Sequence, residues 1–279
     1  MTHFDHDEVP EMGIYLYCLA RQECLPILRD WVEQDFRGVD DRFQVGWLVE
    51  SEVVAVIGEV CIAEFSEENL QTLSWLGVRA GRHEVLVEKV MALSPVLPVK
   101  FGTLYRSQAS LKEFLERHHK VISQGLDHLH DKTEWSVKGY LVEADARRII
   151  SAEDTEIQDR RATLSMSPGV RYLQQKQLDT KIDAMLEARL IQIKHNLYHC
   201  LASHAIDSTV LRLHSSAVTG CKDRMVFNGG FLLTSETIDG FRSALLEQQN
   251  TYKHIGLTLE LRGPWPAYNF CPNIMGAEV

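Results

Sequence analysis

Met225-Val-Phe-Asn-Gly-Gly-Phe-Leu-Leu233 is an apolar run of strand length, and Ser208-Thr-Val-Leu-Arg-Leu213 before it is a shorter β-rich run. Together they read as a strand pair, in which Gly229-Gly230 points to a bulge or a close backbone approach. Working back from the pair, Gly169 to about His204 carries Leu178, Ile182, Met185, Arg189, Ile193, Leu197 and Cys200 at steps of three and four, the spacing of one helix face. Unbroken, that helix reaches on the order of 50 Å. Ahead of it, Trp135 to Val142 alternates as a strand does, and the stretch between, Ser151 to Pro168, is charged and poor in apolar residues, which predicts an acidic surface loop. After the pair, Thr234 or Ser235 is placed to cap a helix running to about Asn250, and Ile255 to Leu261 is a last strand. The order is β-α-β-β-α-β, that of a ferredoxin-like fold modified by a long helix.

The first half repeats this order less regularly. Ile14-Tyr-Leu-Tyr-Cys-Leu19 predicts a strand buried on both faces, and Gln44 to Val49 with Val53 to Ile57 a hairpin. Ser66 is an N-cap followed by the acids Glu67 and Glu68. Gly77 and Gly81 are expected to divide the helix that follows, whose second piece aligns His83, Val87 and Val90. Val96-Leu-Pro-Val99 is extended, and Pro98 marks it as an edge strand or strand start. From Ser107 the residues Leu111, Phe114, Leu115, His118, Ile122, Leu126 and Leu129 recur at helical spacing. The first crossover helix is shortened or lost. The expected fold class is therefore α+β, with an N-terminal ferredoxin-like domain over 1–132 and a C-terminal α+β domain over 133–279.

Composition narrows the function classes. The chain has 279 residues, and its 29 basic against 39 acidic residues give a formal charge of −10, the wrong sign for binding a phosphate backbone. Cys18, Cys24, Cys61, Cys200, Cys221 and Cys271 show no C-x-x-C spacing, which speaks for reduced thiols. The acidic start, Met1-Thr-His-Phe-Asp-His-Asp-Glu8, is unlike an export signal, and the most apolar stretch, Val53 to Ala63, contains Glu59 and is shorter than a membrane span. A soluble cytoplasmic protein with neither a nucleic-acid nor a membrane partner is the expectation.

Candidate chemistry is sparse. His195 and His199 are four apart on the long helix, the spacing at which two imidazoles can share a zinc ion, but Asn196 stands where a metalloprotease places its glutamate. His118, His119, His128 and His130 with Asp127 and Asp131 form a second cluster at a helix end, where cationic histidine suits the C-terminal dipole and accounts for them better than a metal does. His83 on its apolar face reads as a hydrogen-bonded core residue. No phosphate-cradling glycine loop and no G-x-S-x-G elbow is present. No catalytic, metal or cofactor residues are assigned. Arg79, Arg82, Lys89, Lys100 and Arg106 make a local basic zone in an acidic chain. Arg262-Gly-Pro-Trp-Pro-Ala-Tyr-Asn-Phe270 is stiffened by Pro264 and Pro266 and rich in aromatic area, so the segment 262–272 is expected to pack back on the first domain and tie the two halves together. Trp265 is read as a core aromatic whose loss costs roughly 3–5 kcal/mol.

Several of these segments resemble the GvpF/GvpL family of gas vesicle proteins: Tyr15-Leu-Tyr17, Glu68-Asn-Leu70, Val96-Leu-Pro-Val-Lys-Phe-Gly-Thr103, Glu134-Trp-Ser-Val-Lys138, Ser167-Pro-Gly-Val-Arg-Tyr-Leu173 and Gly263-Pro-Trp-Pro-Ala-Tyr-Asn-Phe270. Departures are Lys100 where Arg is usual, Ala267 where Pro is common and Cys18 in place of Gly. Lysine for arginine removes forked hydrogen bonding. The resemblance implies a non-enzymatic accessory or assembly protein without cofactors, a minor structural component that binds the hydrophobic major shell protein GvpA, alone or with other gas vesicle accessory proteins, and resides at the gas-facing side of the vesicle shell as well as in the cytoplasm. It marks Pro98, Gly102, Pro168, Gly169, Gly263, Pro264, Trp265, Pro266 and Tyr268 as structural. Lys100, Phe101 and Arg106 are the expected partner-binding residues, with the first domain offering a sheet edge for strand addition or a groove for a helix. The alternative is a small-ligand or metal-binding enzyme or sensor on tandem ferredoxin-like domains, which His195 and His199 would serve.

Overall fold

The computed structural model describes residues 11–273. They divide into two units, one taking the residues up to Thr133 together with those from Trp265 onward, the other Glu134–Pro264.

In the first unit β1 (Met12–Ala20) is buried from Gly13 onward, as its continuous apolar run requires. Next comes α1 (Leu25–Glu33), which keeps the first crossover but shortens it to nine residues, with Pro26 in its first turn where a missing N–H costs nothing. The hairpin of β2 (Val45–Glu50) and β3 (Val53–Cys61) follows. Ser66 caps α2 (Glu67–Gln71) by accepting the Asn69 N–H. The glycines do not interrupt α3 (Leu73–Met91); the break falls at Thr72, whose backbone is extended. Each helical glycine costs about 1 kcal/mol, and burial of His83, Leu86, Val87 and Val90 along the same helix offsets it. Then come β4 (Val96–Pro98), β5 (Leu104–Tyr105) and α4 (Gln108–Leu129), the last opened by a capping box between Ser107 and Ser110.

The sheet order is β2-β3-β1-β4, with β5 also on β1, and each pairing is antiparallel. This is the ferredoxin-like arrangement, with α1 and α3 as its two crossover helices. Tyr15, Tyr17, Val54 and Val56 pack with Leu28, Trp31, Leu86, Val87 and Val90 from those helices. The alternate residues Leu16, Leu19, Ala55 and Ile57 are buried too. Against them lies α4, which touches every strand of the sheet and contributes Leu111, Leu115, Ile122 and Leu126. Covered on both faces, β1 has no alternating pattern to show.

The second unit runs β6 (Lys132–Leu141, entering from the first unit), α5 (Glu143–Glu153), α6 (Thr155–Ala162), α7 (Pro168–Ala202), β7 (Asp207–Val210), α8 (Ser216–Thr219), β8 (Arg224–Thr234), α9 (Ile238–Tyr252) and β9 (Leu257–Trp265). Its sheet order, β7-β8-β6-β9, is again ferredoxin-like. The acidic stretch 151–168 is not a loop. Its residues end α5 and form α6, which Asp154 caps by accepting the Ile157 N–H, and Ile157 is fully buried. The charges that suggest a solvated coil are spent on α7, through Glu153 with Arg189 and Glu156 with Lys181.

The buried face of α7 is Leu178, Ile182, Leu186, Leu190, Ile193, Leu197 and Leu201. It departs from the expected stripe at Leu186, Leu190 and Leu201, each one position after the expected residue, and the displaced Arg189 pairs with Glu153. These leucines join Val137, Leu141, Val226, Phe231 and Phe241 in one core. Thr237, not Thr234 or Ser235, is the cap residue of α9, and it exchanges hydrogen bonds with Thr234. Gly256, at φ +80°, turns the chain into β9, which therefore begins at Leu257 rather than Ile255.

Candidate functional site

The run Val96 to Tyr105 folds as an edge strand interrupted by a turn. Val96–Pro98 pair with Cys18–Ala20 and Leu104–Tyr105 with Ile14–Tyr15, while the Leu16 N–H reaches the Thr103 carbonyl and the Val99 N–H the Tyr17 carbonyl. Pro98 stands in an edge strand, where its missing N–H breaks no ladder bond. Between the two pieces, Lys100 to Gly102 leave the sheet, and Gly102 has φ +84°, a backbone region that favours glycine. This excursion turns Phe101 inward, onto Tyr15, Phe65, Trp75 and His83 with ring centroids 5.9–6.3 Å apart.

Two apart in β1, Tyr15 and Tyr17 point to the same side, with ring centroids 4.7 Å apart, and the pairing with β3 is bulged between Leu16 and Cys18. The Tyr17 hydroxyl accepts the Val39 N–H at 2.9 Å. Tyr15 accepts the Gly102 N–H at 3.2 Å and meets His83 Nδ1 at 2.9 Å. On the far side of the imidazole, Nε2 lies 3.2 Å from the Tyr268 hydroxyl, which donates to Glu84 at 2.9 Å. Because that hydroxyl's proton goes to the carboxylate, His83 presents N–H at Nε2 and accepts from Tyr15 at Nδ1. Burial holds the imidazole neutral, with its pKa pushed down to about 4, although the Val99 carbonyl works the other way. Burial also raises the Tyr15 and Glu84 pKa values, and that of Tyr268, where the Glu84 charge adds to the effect. Each polar atom in the chain of bonds has a partner, so the network holds the turn and the C-terminal segment on α3.

That segment continues around the free edge of β4. Cys271 Sγ stands 3.9 Å from the Pro98 carbonyl, and Pro272 packs where α4 offers Gly125, close to Leu97. The β4 edge is thus covered, which blocks strand addition there, one of the two expected docking modes. Trp265 is 40% exposed and is not the core aromatic expected; Pro266 and Ala267 are the buried members of its segment. Gly263 sits at φ +137°, with the Glu134 carbonyl and the Trp135 ring where a Cβ would stand. Pro168 opens α7, and Gly169 follows it in the same turn.

The basic zone separates into used and unused charges. Arg79 pairs with Glu64 over the Trp75 ring, Arg82 pairs with Asp41, and Lys89 lies over Phe36. Lys100 and Arg106 are exposed and carry no ion pair among the described residues. His195 and His199 are exposed with ring centroids 4.2 Å apart, but among the described residues no group of three metal-binding side chains forms. In the second cluster Asp127 binds Arg21, Asp131 binds His130, and His118 packs on Phe114.

The model of one family, "Gas vesicle synthesis protein GvpL/GvpF", matches residues 13–272. The chain belongs to the GvpL/GvpF family. It is 25% identical to gas vesicle protein L of a Streptomyces species over 78% of this chain and 80% of that one. It is 23% identical to gas vesicle protein L1 of Halobacterium salinarum over 98% and 95%. Among solved structures, GvpF from an Anabaena species superposes with a TM-score of 0.69 at 16% identity, over 93% of this chain and 98% of that one. GvpF from Microcystis aeruginosa gives 0.64, also at 16% identity. The α+β class and the paired ferredoxin-like sheets agree with this GvpL/GvpF membership.

Set against the GvpL/GvpF membership, Tyr15, Tyr17, His83, Phe101, Gly102 and Tyr268 are residues the sequence singles out, whereas their partners Glu84, Phe65, Trp75 and Gly38 are not. Glu84, Phe65 and Trp75 carry no spacing signal, and Gly38 matters only because its Cβ position lies 1.9 Å from the Tyr17 hydroxyl. Tyr15 and Tyr17 are placed by the buried-strand reading, but the groups their hydroxyls bind, His83, Gly102 and Val39, come from elsewhere in the chain. Among the described residues no helix is long and apolar enough to cross a membrane.

Proposed function

We propose that this GvpL/GvpF protein is a non-enzymatic assembly component that binds the hydrophobic major shell protein GvpA during gas vesicle formation. Family membership over residues 13–272 is the observation that carries the reading. The contact we assign is the turn after β4. Lys100 and Arg106 flank it as exposed cations without an ion pair among the described residues, suited to acidic groups on a client, and Phe101 beneath them fixes the shape of the turn. With the β4 edge covered, the edge we assign to an added strand is β2. The Val45 N–H on that side is taken by the Phe36 carbonyl, and the period of two turns the backbone groups of Trp47 and Val49 to the same side.

Copurification of GvpA with the full-length chain tests this reading. Capture by the wild type that weakens in a Lys100→Glu/Arg106→Glu double variant supports it. No capture by the wild type overturns the function, and undiminished capture by the variant overturns the surface. A gas-facing location predicts that protease leaves the protein intact in whole vesicles and cleaves it after collapse.

A further inference from the structure

Two surface segments have complementary chemistry that the shell-protein reading does not use. Residues 160–178 hold Arg160, Arg161, Arg171 and Lys176 with no acid, in a chain whose net charge is −10. They form the end of α6, a turn and the first turns of α7, before the first buried residue of that helix, Leu178. Here Met166 is 91% exposed, and Val170, Tyr172 and Leu173 are exposed with it. Arg160 is paired with Glu156, and Arg161 is bonded to Ser151, which leaves Arg171 and Lys176 without an ion pair among the described residues. Residues 60–78 are the converse, with Glu64, Glu67 and Glu68 and no base. Leu73, at the start of α3, is 84% exposed, and Leu70 is exposed beside it. Glu64 is taken by Arg42 and Arg79, leaving Glu67 and Glu68.

Met166 and Leu73 are the two most exposed large apolar side chains among the described residues, and each sits among unpaired charges of one sign, opposite in the two places. We infer that these are the two halves of one interface between copies of this chain, the α7 tip of one copy seating on the α2–α3 corner of the next. A lipid surface fits the tip less well. Val170 and Leu173, three apart, share one side of the helix while Tyr172 points to another, so the exposed apolar stripe is about one turn long, whereas a helix lying in a bilayer surface presents its apolar face over several turns. A corner of leucines flanked by Glu67 and Glu68 can meet both sides. Removal of the leucine and methionine surfaces from water supplies most of the attraction, and the exposed charges set the register and the partner. The contact joins unlike surfaces, so each copy keeps one free half at either end of an assembly, which grows until it closes into a ring or runs on as a filament.

Sedimentation velocity of the full-length chain tests this over about 1 to 100 μM, the range of weak protein contacts. Species larger than a monomer are expected to accumulate with concentration and to recede as salt rises from about 0.05 to 0.5 M. Leu73→Glu and Leu173→Glu both replace exposed side chains, so the fold is expected to survive, which circular dichroism checks. Each variant alone is expected to associate at least about tenfold more weakly. Mixed, the two are expected to form a discrete heterodimer, since each retains the half the other lacks. A wild type that stays monomeric overturns the proposal. So does a mixture that does not pair, assembly undisturbed by either substitution, or binding of the tip to anionic vesicles in place of self-association.

Discussion

The Tyr268 hydroxyl lies 3.2 Å from Nε2 of His83, across 185 positions of sequence. Through it, the C-terminal segment is fastened to the middle of α3, and the same imidazole holds Tyr15 on its other side. The turn bearing Phe101, the aromatic cluster and the cover over β4 therefore share one network, and four predictions follow from its geometry.

Removing only the Tyr268 hydroxyl leaves the Glu84 carboxylate and the His83 N–H short of a partner in a buried place. Tyr268→Phe is expected to destabilise the first unit by about 1–3 kcal/mol. Urea denaturation followed by tryptophan fluorescence measures it, and wild-type stability in the variant contradicts the network's role.

The His83 pKa, lowered from 6.5 to about 4, makes a pH prediction. The unfolded chain binds a proton at this residue below pH 6.5 that the folded chain refuses until about pH 4, so the His83 contribution is fully present above 6.5 and is lost as pH falls through that window. The loss amounts to about 3 kcal/mol at most. Glu84, raised by burial, acts in the opposite sense, because its folded form holds a proton to higher pH. Comparing wild type with His83→Gln isolates the histidine: the wild type is expected to lose more stability between pH 6.5 and 4 than the variant.

Gly38 has no room for a methyl group, since its Cβ position lies 1.9 Å from the Tyr17 hydroxyl. Gly38→Ala is expected to cost about 1–3 kcal/mol by overpacking. In a Tyr17→Phe background the same substitution is expected to cost less, and a double-mutant cycle with no coupling refutes the contact.

At Gly102 the space is open but the backbone is left-handed, so the cost of a side chain is conformational alone. Gly102→Ala is expected to lose roughly 1–2 kcal/mol. Gly102→Asn is expected to lose less, because asparagine tolerates this region. Equal losses in thermal denaturation assign the penalty to something other than φ.

Much of this was legible in the chain. The strand at Ile14 to Leu19, the hairpin, the Ser66 cap, the helix from Ser107 and the long helix follow from local pattern, and the family motifs lie in stretches that local rules can read. The misreadings share a cause. Gly77 and Gly81 signal a break only while the burial along α3 is unseen, and 151–168 reads as a loop only while its acids have no basic partners. Trp265 looks like a core residue by type, yet Pro266 and Ala267 are buried in its place.

By itself, the sequence determined the α+β class, the two β-α-β-β-α-β runs and the family, because periodicity, caps and short motifs act over a few residues. Only the tertiary structure decided that Tyr268 closes on His83, that the β4 edge is covered and that Lys100 and Arg106 stay without an ion pair among the described residues. Those depend on which distant groups are brought within hydrogen-bonding distance once the apolar faces are buried, and chain order does not encode that distance.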